Sequence, residues 1–147
     1  PIMAGDTWDD ISIAQRTGDK ATEIYFSAFF DAADTSNEAG KAFVDGFTKW
    51  VAEDSARVEN NGGVTDVISS VTPCGYDAYM AAIGAIEAAQ STEGVAIRDA
   101  LATLEIPGLI TGALKFDDNG DAIKNYAVIK TIKDGQIVYF STFNGLE

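Results

Sequence analysis

The chain has 147 residues, which is enough for one domain with a buried core. Its hydrophobic fraction of 46% and charged fraction of 22% are typical of a globular protein, and no apolar stretch reaches the roughly 18 residues that a membrane-spanning helix needs. Ten basic and 23 acidic residues give a net charge of −13, which disfavours binding to nucleic acid or to anionic lipid.

Histidine and cysteine counts exclude several kinds of chemistry. Without any histidine, the chain has no Ser-His-Asp triad, no Cys-His pair and no histidine-ligated metal site. Cys74 alone forms neither an internal disulfide nor a zinc cluster, and we interpret it as a small buried hydrophobe. The sequence therefore argues against an enzyme, and we expect no metal and no cofactor.

The first part of the chain predicts a strand, a short helix and a second strand. Residues 2–4 are apolar, and we interpret them as the end of a strand. Because a natural protein seldom begins in this way, we expect the chain to be a fragment or a processed piece of a longer protein. A short helix should begin near Ile11 and end at Gly18. Residues 21–30 are β-branched and aromatic, which predicts a buried strand.

Three helices are predicted in the middle of the chain. The first should follow an N-cap at residues 34–36, and its apolar residues recur every three or four positions. They are Ala39, Phe43, Phe47, Trp50 and Val51. Residues 60–63 predict a loop, and residues 64–71 a short strand or a turn. Helices are expected over residues 76–90, after Pro73-Cys74-Gly75, and over residues 93–104.

The last part of the chain predicts strands. Residues 109–116 should form one strand, and residues 126–143 a hairpin that turns at Asp134-Gly135. The spacing from Asp117 to Asp121 imitates a calcium loop, but the required Gly and Glu are missing at its sixth and twelfth positions, so we interpret it as a turn. The order of elements indicates an α/β protein whose final hairpin need not join the preceding sheet.

Asp6 is the candidate binding residue, because it directly follows the first predicted strand. Ligands of open α/β sheets bind beyond the carboxyl ends of the strands. A carboxylate there can accept a charge-assisted hydrogen bond from a ligand ammonium, and Trp8 can supply an apolar or cation–π wall. The sequence is equally compatible with the alternative that Asp6 or Thr7 only caps the following helix.

An ordered set of short stretches resembles one known family over nearly the whole chain. The stretches are Gly5-Asp6-Thr7-Trp8-Asp9, Tyr25-Phe26, Gly75-Tyr76-Asp77-Ala78 and residues 112–121. They resemble the carboxyl-terminal part of branched-chain amino-acid (Leu/Ile/Val-type) substrate-binding proteins of ABC transporters. The resemblance implies an incomplete type I periplasmic-binding-protein fold with two three-layer α/β/α lobes and a C-terminal β-hairpin.

The same resemblance implies how the chain is divided between the lobes. Residues 1–28 would belong to the second lobe, residues 29–125 to the first lobe, and residues 126–147 would be a hairpin that returns to the second lobe. Asp6 matches the family's acidic residue that grips the ligand's α-ammonium. Thr7 and Trp8 would border the same pocket, and residues 71–75 match another stretch that lines the cleft.

Function and partners are implied in the same way. The chain would be part of an extracytoplasmic solute-binding protein that holds an amino acid, branched-chain or related, between two lobes. Its partners would be the missing amino-terminal part of the receptor and a membrane permease, in the bacterial periplasm or anchored outside the cell. Apolar faces that the rest of the receptor normally covers would favour self-association. A ligand-sensing regulatory domain of the same fold is the alternative.

Overall fold

The computed structural model describes residues 1–34, 38–124 and 126–144, without the Asn144 side chain. Five α-helices lie within these ranges: α1 (Ile11–Thr17), α2 (Glu38–Ala52), α3 (Ser55–Asn60), α4 (Thr72–Ala89) and α5 (Gly94–Leu101). The strands there are β1 (Ile2–Ala4), β2 (Ile24–Ala28), β3 (Lys115–Phe116), β4 (Ala122–Ile123), β5 (Tyr126–Lys133) and β6 (Gln136–Asn144). The chain is therefore of the mixed α/β class that the sequence predicts.

Four strands form one mixed sheet in the order β1-β2-β5-β6. β1 runs parallel to β2, whereas β5 is antiparallel to both β2 and β6. The predicted hairpin is confirmed, and its turn residues Asp134 and Gly135 have positive φ angles of 53° and 70°, which suit a type I′ turn. This hairpin continues the sheet begun by β1 and β2, while β3 and β4 form a separate two-stranded ribbon.

The core of the sheet lies between β2, β5 and α1. The β2 side chains alternate in burial, with Ile24, Phe26 and Ala28 buried. Ala14 of α1 and Ile132 of β5 pack into the same cluster. The strand predicted over residues 21–30 is confirmed only in its central residues.

Several predicted boundaries are wrong for local reasons. Helix α4 begins at Thr72, so Pro73 lies in its first turn, where the missing N–H of proline costs no hydrogen bond. Helix α5 ends at Leu101, three residues earlier than expected. Helix α3 was not predicted; its N-cap Asp54 accepts hydrogen bonds from the Ala56 and Arg57 N–H groups.

In the middle of the chain, one open prediction is resolved and one predicted strand mostly does not form. Residues 64–71 form no strand; they are an irregular segment that ends in a turn leading into α4, which is the second of the two predicted alternatives. Of the segment 109–116, only Lys115–Phe116 is a strand, and Leu114 makes an isolated bridge with Ile106. The N-cap proposed at residues 34–36 falls largely outside the described residues.

Helices α2 and α4 and the segment 106–110 border an open apolar groove, which we call the helix groove. Its volume is about 900 Å³. Phe43, Phe47 and Trp50 of α2 and Tyr76 and Met80 of α4 line it. The apolar stripe predicted on α2 therefore faces this groove for much of its length.

Candidate functional site

The candidate residues Asp6, Thr7 and Trp8 form a single 3₁₀ turn directly after β1, which we call the Asp6 turn. The Asp9 N–H donates to the Asp6 carbonyl oxygen over 2.9 Å, which closes the turn. Neither Asp6 nor Thr7 caps α1. The cap is Asp10, whose Oδ1 accepts from the Ser12 N–H at 2.8 Å. The capping alternative for Asp6 and Thr7 is therefore wrong.

The Asp6 carboxylate is exposed at the carboxyl end of β1. Within the residues that the structure describes, it makes no hydrogen bond and no ion pair. Both oxygens therefore remain open to a donor from outside the chain, with two acceptor sites on each oxygen. Thr7 is exposed beside it.

Trp8 is held differently from its two neighbours. It is half-buried and packs against the cluster that contains Phe26 and Ile132. Because part of the indole belongs to the sheet core, only the remaining part is open to a ligand. Trp8 therefore also anchors the Asp6 turn to the sheet.

The Asp6 turn lies within electrostatic range of the first turn of α4. Burial is the main cause that raises the pKa of the Cys74 thiol, and the charge of Asp77 is the next. The carboxylate of Asp6 also raises the Cys74 pKa. Asp6 and Cys74, which belong to two of the predicted cleft segments, are thus electrostatically coupled, with Asp6 the smallest of the causes. Cys74 is only partly buried, which corrects its interpretation as a buried hydrophobe.

Asp77 fixes the loop after α5 against α4. Its buried carboxylate accepts from the Ile110 N–H at 2.9 Å, from the Thr111 N–H at 2.8 Å and from the Thr111 hydroxyl at 2.7 Å. Lys124 Nζ donates to the Thr111 carbonyl at 3.2 Å and to its hydroxyl at 3.0 Å. Burial lowers the pKa of Lys124, while Asp77 partly offsets that shift. These bonds fix the segment at Ile110, which borders the helix groove.

Lys130 forms the centre of a buried ion cluster beneath the Asp6 turn. Its Nζ lies 2.9 Å from Asp9 Oδ2 and 3.3 Å from Asp31 Oδ2. Asp9 directly follows the Asp6 turn, and Asp31 lies in the segment that leaves β2. The cluster therefore joins three chain segments at the edge of the candidate site.

A second polar network joins the same β2 exit segment to both strands of the hairpin. Asp34 Oδ2 accepts from the Tyr126 hydroxyl at 2.5 Å and from the Thr142 hydroxyl at 2.8 Å. Burial, followed by the hydrogen bond to Asp34, raises the pKa of Tyr126 above its ordinary value. The network lies where the chain passes between the sheet and the helices.

Sequence reasoning missed Lys130, Asp9, Asp31 and the Asp34 network. One signal for Lys130 was present, because it stands between Val128 and Ile132 on the inward face of an alternating strand. A lysine at such a position needs an acidic partner. The sequence gives no comparable signal for its partners, because the tertiary fold determines which carboxylates pair with Lys130.

Metal ligation and membrane insertion find no support in the described residues. No group of three or more Asp, Glu or Cys side chains there is arranged to hold a metal ion. None of the described helices is long and apolar enough to cross a membrane.

Solved structures provide the comparisons that match this chain. No family model matches it, and no curated protein sequence matches it significantly. The leucine-binding protein LivK of Thermotoga maritima is 25% identical, with a TM-score of 0.75 over 97% of this chain and 37% of its own. The isoleucine complex of LivJ from Streptococcus pneumoniae is 25% identical, with a TM-score of 0.66 over 97% and 36%. An ABC-transporter substrate-binding protein of Desulfitobacterium hafniense is also 25% identical, with a TM-score of 0.67 over 95% and 35%.

These neighbours confirm the resemblance and the fold predicted from the sequence. The chain has part of the type I periplasmic-binding-protein fold, and its structure neighbours are branched-chain amino-acid substrate-binding proteins of ABC transporters. It spans little more than a third of their length. They are transport proteins rather than enzymes, which supports a solute-binding role.

Proposed function

We propose that this chain contributes one side of an amino-acid site in an extracytoplasmic solute-binding protein, and that Asp6 binds the ligand's α-ammonium. The observation that carries the proposal is the exposed Asp6 carboxylate, which is open to an external donor at the carboxyl end of a strand. A carboxylate in such a place binds an ammonium group through charge-assisted hydrogen bonds. Structure neighbours named for leucine binding and crystallised with isoleucine make an aliphatic amino acid the favoured ligand.

The division into lobes is part of the same proposal. Residues 1–28 and the hairpin, residues 126–147, would form part of one lobe, and residues 29–125 part of the other. The pairing of β5 with β2 supports this grouping, because it joins the hairpin to the sheet of the first segment. The Asp6 turn and the first turn of α4 would then face each other across the cleft, in keeping with the effect of Asp6 on Cys74.

Closing such a cleft excludes water and strengthens the charged contacts within it. Donors for the ligand carboxylate would come from a part of the receptor outside this chain. A membrane permease would be the downstream partner, and the protein would work in the periplasm or attached to the outer face of the membrane. The apolar surfaces of the chain would favour self-association when it is isolated.

The test is titration calorimetry with L-leucine, L-isoleucine and L-valine, performed on the full-length protein that the gene encodes. We expect Asp6→Asn to weaken binding by roughly tenfold or more, because it removes a hydrogen bond between two charged groups. Asp19→Asn is the matched control, since Asp19 is another exposed carboxylate in the same half of the chain. Binding of no amino acid by the unaltered protein would refute the function, whereas unchanged affinity in Asp6→Asn would refute only the role of Asp6.

A further inference from the structure

Lys130 is a charged residue at an inward position of the sheet. It is 5% exposed and pairs in register with Phe26, which is 0% exposed. Val128 and Ile132, two positions away on either side, are also buried. An ammonium in this place is costly unless it is paired, so its partners define what it does.

Two carboxylates share the Lys130 ammonium. Both oxygens of Asp9 accept from it, at 2.9 Å and 3.2 Å, and Asp31 Oδ2 lies 3.3 Å away. The side chains of Lys130 and Asp9 are only 6% and 8% exposed, and that of Asp31 is 16% exposed. Asp9 therefore has the closer, two-oxygen contact, and Asp31 the longer one.

The sheet is irregular where Lys130 emerges. Ile129 pairs with Ser141, but Lys130 pairs with Tyr139, so Phe140 is an extra residue on β6. Such a bulge changes the local twist of the strands and the direction of neighbouring side chains, and bulges are common beside functional sites. Here the bulge coincides with the residue that holds Asp9.

We propose that Lys130 is a positioning residue for the amino-acid site. It holds the carboxylate of Asp9, and the Asp9 N–H closes the Asp6 turn through its bond to the Asp6 carbonyl. The ion pair thus fixes the end of the turn that carries the ligand-binding carboxylate. This role rests on the proposed function, because it concerns the orientation of Asp6 toward a ligand.

Asp31 provides a matched comparison for Asp9. Both carboxylates contact the same ammonium, but Asp31 lies in the segment after β2 rather than in or next to the Asp6 turn. If Lys130 only neutralised buried charge, Asp9→Asn and Asp31→Asn would lower thermal stability, each according to the strength of its contact, and would leave the Trp8 environment and the leucine affinity of the folded protein unchanged. If it positions the turn, only Asp9→Asn would disturb the site.

The experiment measures the turn directly through the fluorescence of Trp8. The 147 residues contain two tryptophans, so Trp50→Phe leaves Trp8 as the single one among them; any tryptophan elsewhere in the encoded protein is replaced by phenylalanine as well. In this background, Asp9→Asn and Asp31→Asn are compared for Trp8 emission, acrylamide quenching and thermal unfolding. L-leucine affinity is measured on the same variants of the protein as its gene encodes it.

We expect Asp9→Asn to shift Trp8 emission to longer wavelength, to increase quenching and to weaken leucine binding about tenfold, the effect of losing one charge-assisted hydrogen bond. Asp31→Asn should keep the Trp8 spectrum and an affinity within about twofold of the unaltered protein. Equal effects of the two variants, or an unchanged spectrum and affinity in Asp9→Asn, would overturn the proposal. The Trp8 measurement needs no ligand, so it tests the positioning role of Lys130 even if the protein does not bind leucine.

A neutral version of the cluster covers the case in which Asp9→Asn does not fold. Lys130→Met combined with Asp9→Asn and Asp31→Asn leaves no unpaired buried charge, and such replacements often preserve folding. This variant should also show a more accessible Trp8 and weaker leucine binding. A Trp8 spectrum and an affinity like those of the unaltered protein would overturn the proposal.

Discussion

Asp77 shows how a single buried carboxylate organises a loop in this chain. It is 4% exposed and takes three donors from Ile110 and Thr111, more than thirty residues further along the chain. Three bonds to a charged acceptor offset the cost of its burial. The loop bordering the helix groove therefore depends on one side chain of α4.

Asp77→Asn should lower the free energy of unfolding by about 2–3 kcal/mol. The asparagine has one acceptor oxygen, and its NH₂ group would face the N–H donors of the loop. Urea unfolding followed by circular dichroism measures the change. Asp118→Asn serves as control because Asp118 is exposed. A loss no larger than that of the control would contradict the role of Asp77.

The hydroxyl of Tyr126 gives a prediction about pH. Because the folded-state pKa is raised above the ordinary 10.0, the unfolded chain ionises first as the pH rises. The stabilising contribution of this tyrosine is therefore complete below pH 10 and is lost progressively above it.

Tyr126→Phe should cost about 1 kcal/mol at neutral pH, since Asp34 loses a donor. The difference from the unaltered protein should shrink above pH 10, because the variant lacks this titration. Unfolding curves between pH 7 and 11 measure it. Tyr79→Phe, which removes an exposed hydroxyl from α4, should show no such pH trend. A difference that stays constant with pH would refute the prediction.

At the scale of elements, local signals decided which predictions are confirmed. Helix α1 and the β5–β6 hairpin follow from an acidic N-cap, a terminating Gly18 and the Asp134-Gly135 turn, all within a few residues. The strand predicted over residues 109–116 is mostly wrong. Its apolar residues are buried by packing against α4, and N–H groups at its start donate to Asp77 instead of to a neighbouring strand. The local pattern of apolar and polar residues in the sequence does not predict such tertiary contacts.

In the candidate site too, features set by neighbouring residues could be predicted, and features set by the tertiary fold could not. The place of the Asp6 turn could be predicted, because a strand end, a Gly and an Asp are consecutive in the sequence. The Lys130 cluster and the Asp34 network could not, because their members are about 90 to 120 residues apart. That Asp10 rather than Asp6 caps α1 depends on a shift of only four residues, which the sequence pattern does not resolve.

At the scale of the whole chain, two apolar surfaces stand out. One is the helix groove, and the other is a patch on the sheet formed by Ile2, Met3, Tyr25 and Phe140. Met3 is 64% exposed and Phe140 56% exposed. Large contiguous apolar surfaces of this kind usually meet another protein surface.

We expect the isolated 147-residue chain to self-associate as its concentration rises. Sedimentation velocity over a range of concentrations measures it. Phe47→Glu should reduce association through the helix groove, and Phe140→Glu should reduce association through the sheet patch. Comparing the two variants identifies the surface through which the chain associates. Lys41→Glu is the charge control, because Lys41 is an exposed residue of α2. A monomer at all concentrations would contradict the expectation.

The pairing of β2 with β5 has a consequence for how the polypeptide acquires its shape. The Thr131 hydroxyl donates a hydrogen bond to the Ile24 carbonyl, 107 residues earlier, so these strands cannot meet until the residues between them have been synthesised. The backbone hydrogen bonds of helices α2 to α5 join residues about four positions apart, so these helices can begin to form before such distant residues are present. We therefore expect the pairing of β2 with β5, which must close a long loop, to be slower than the formation of these helices.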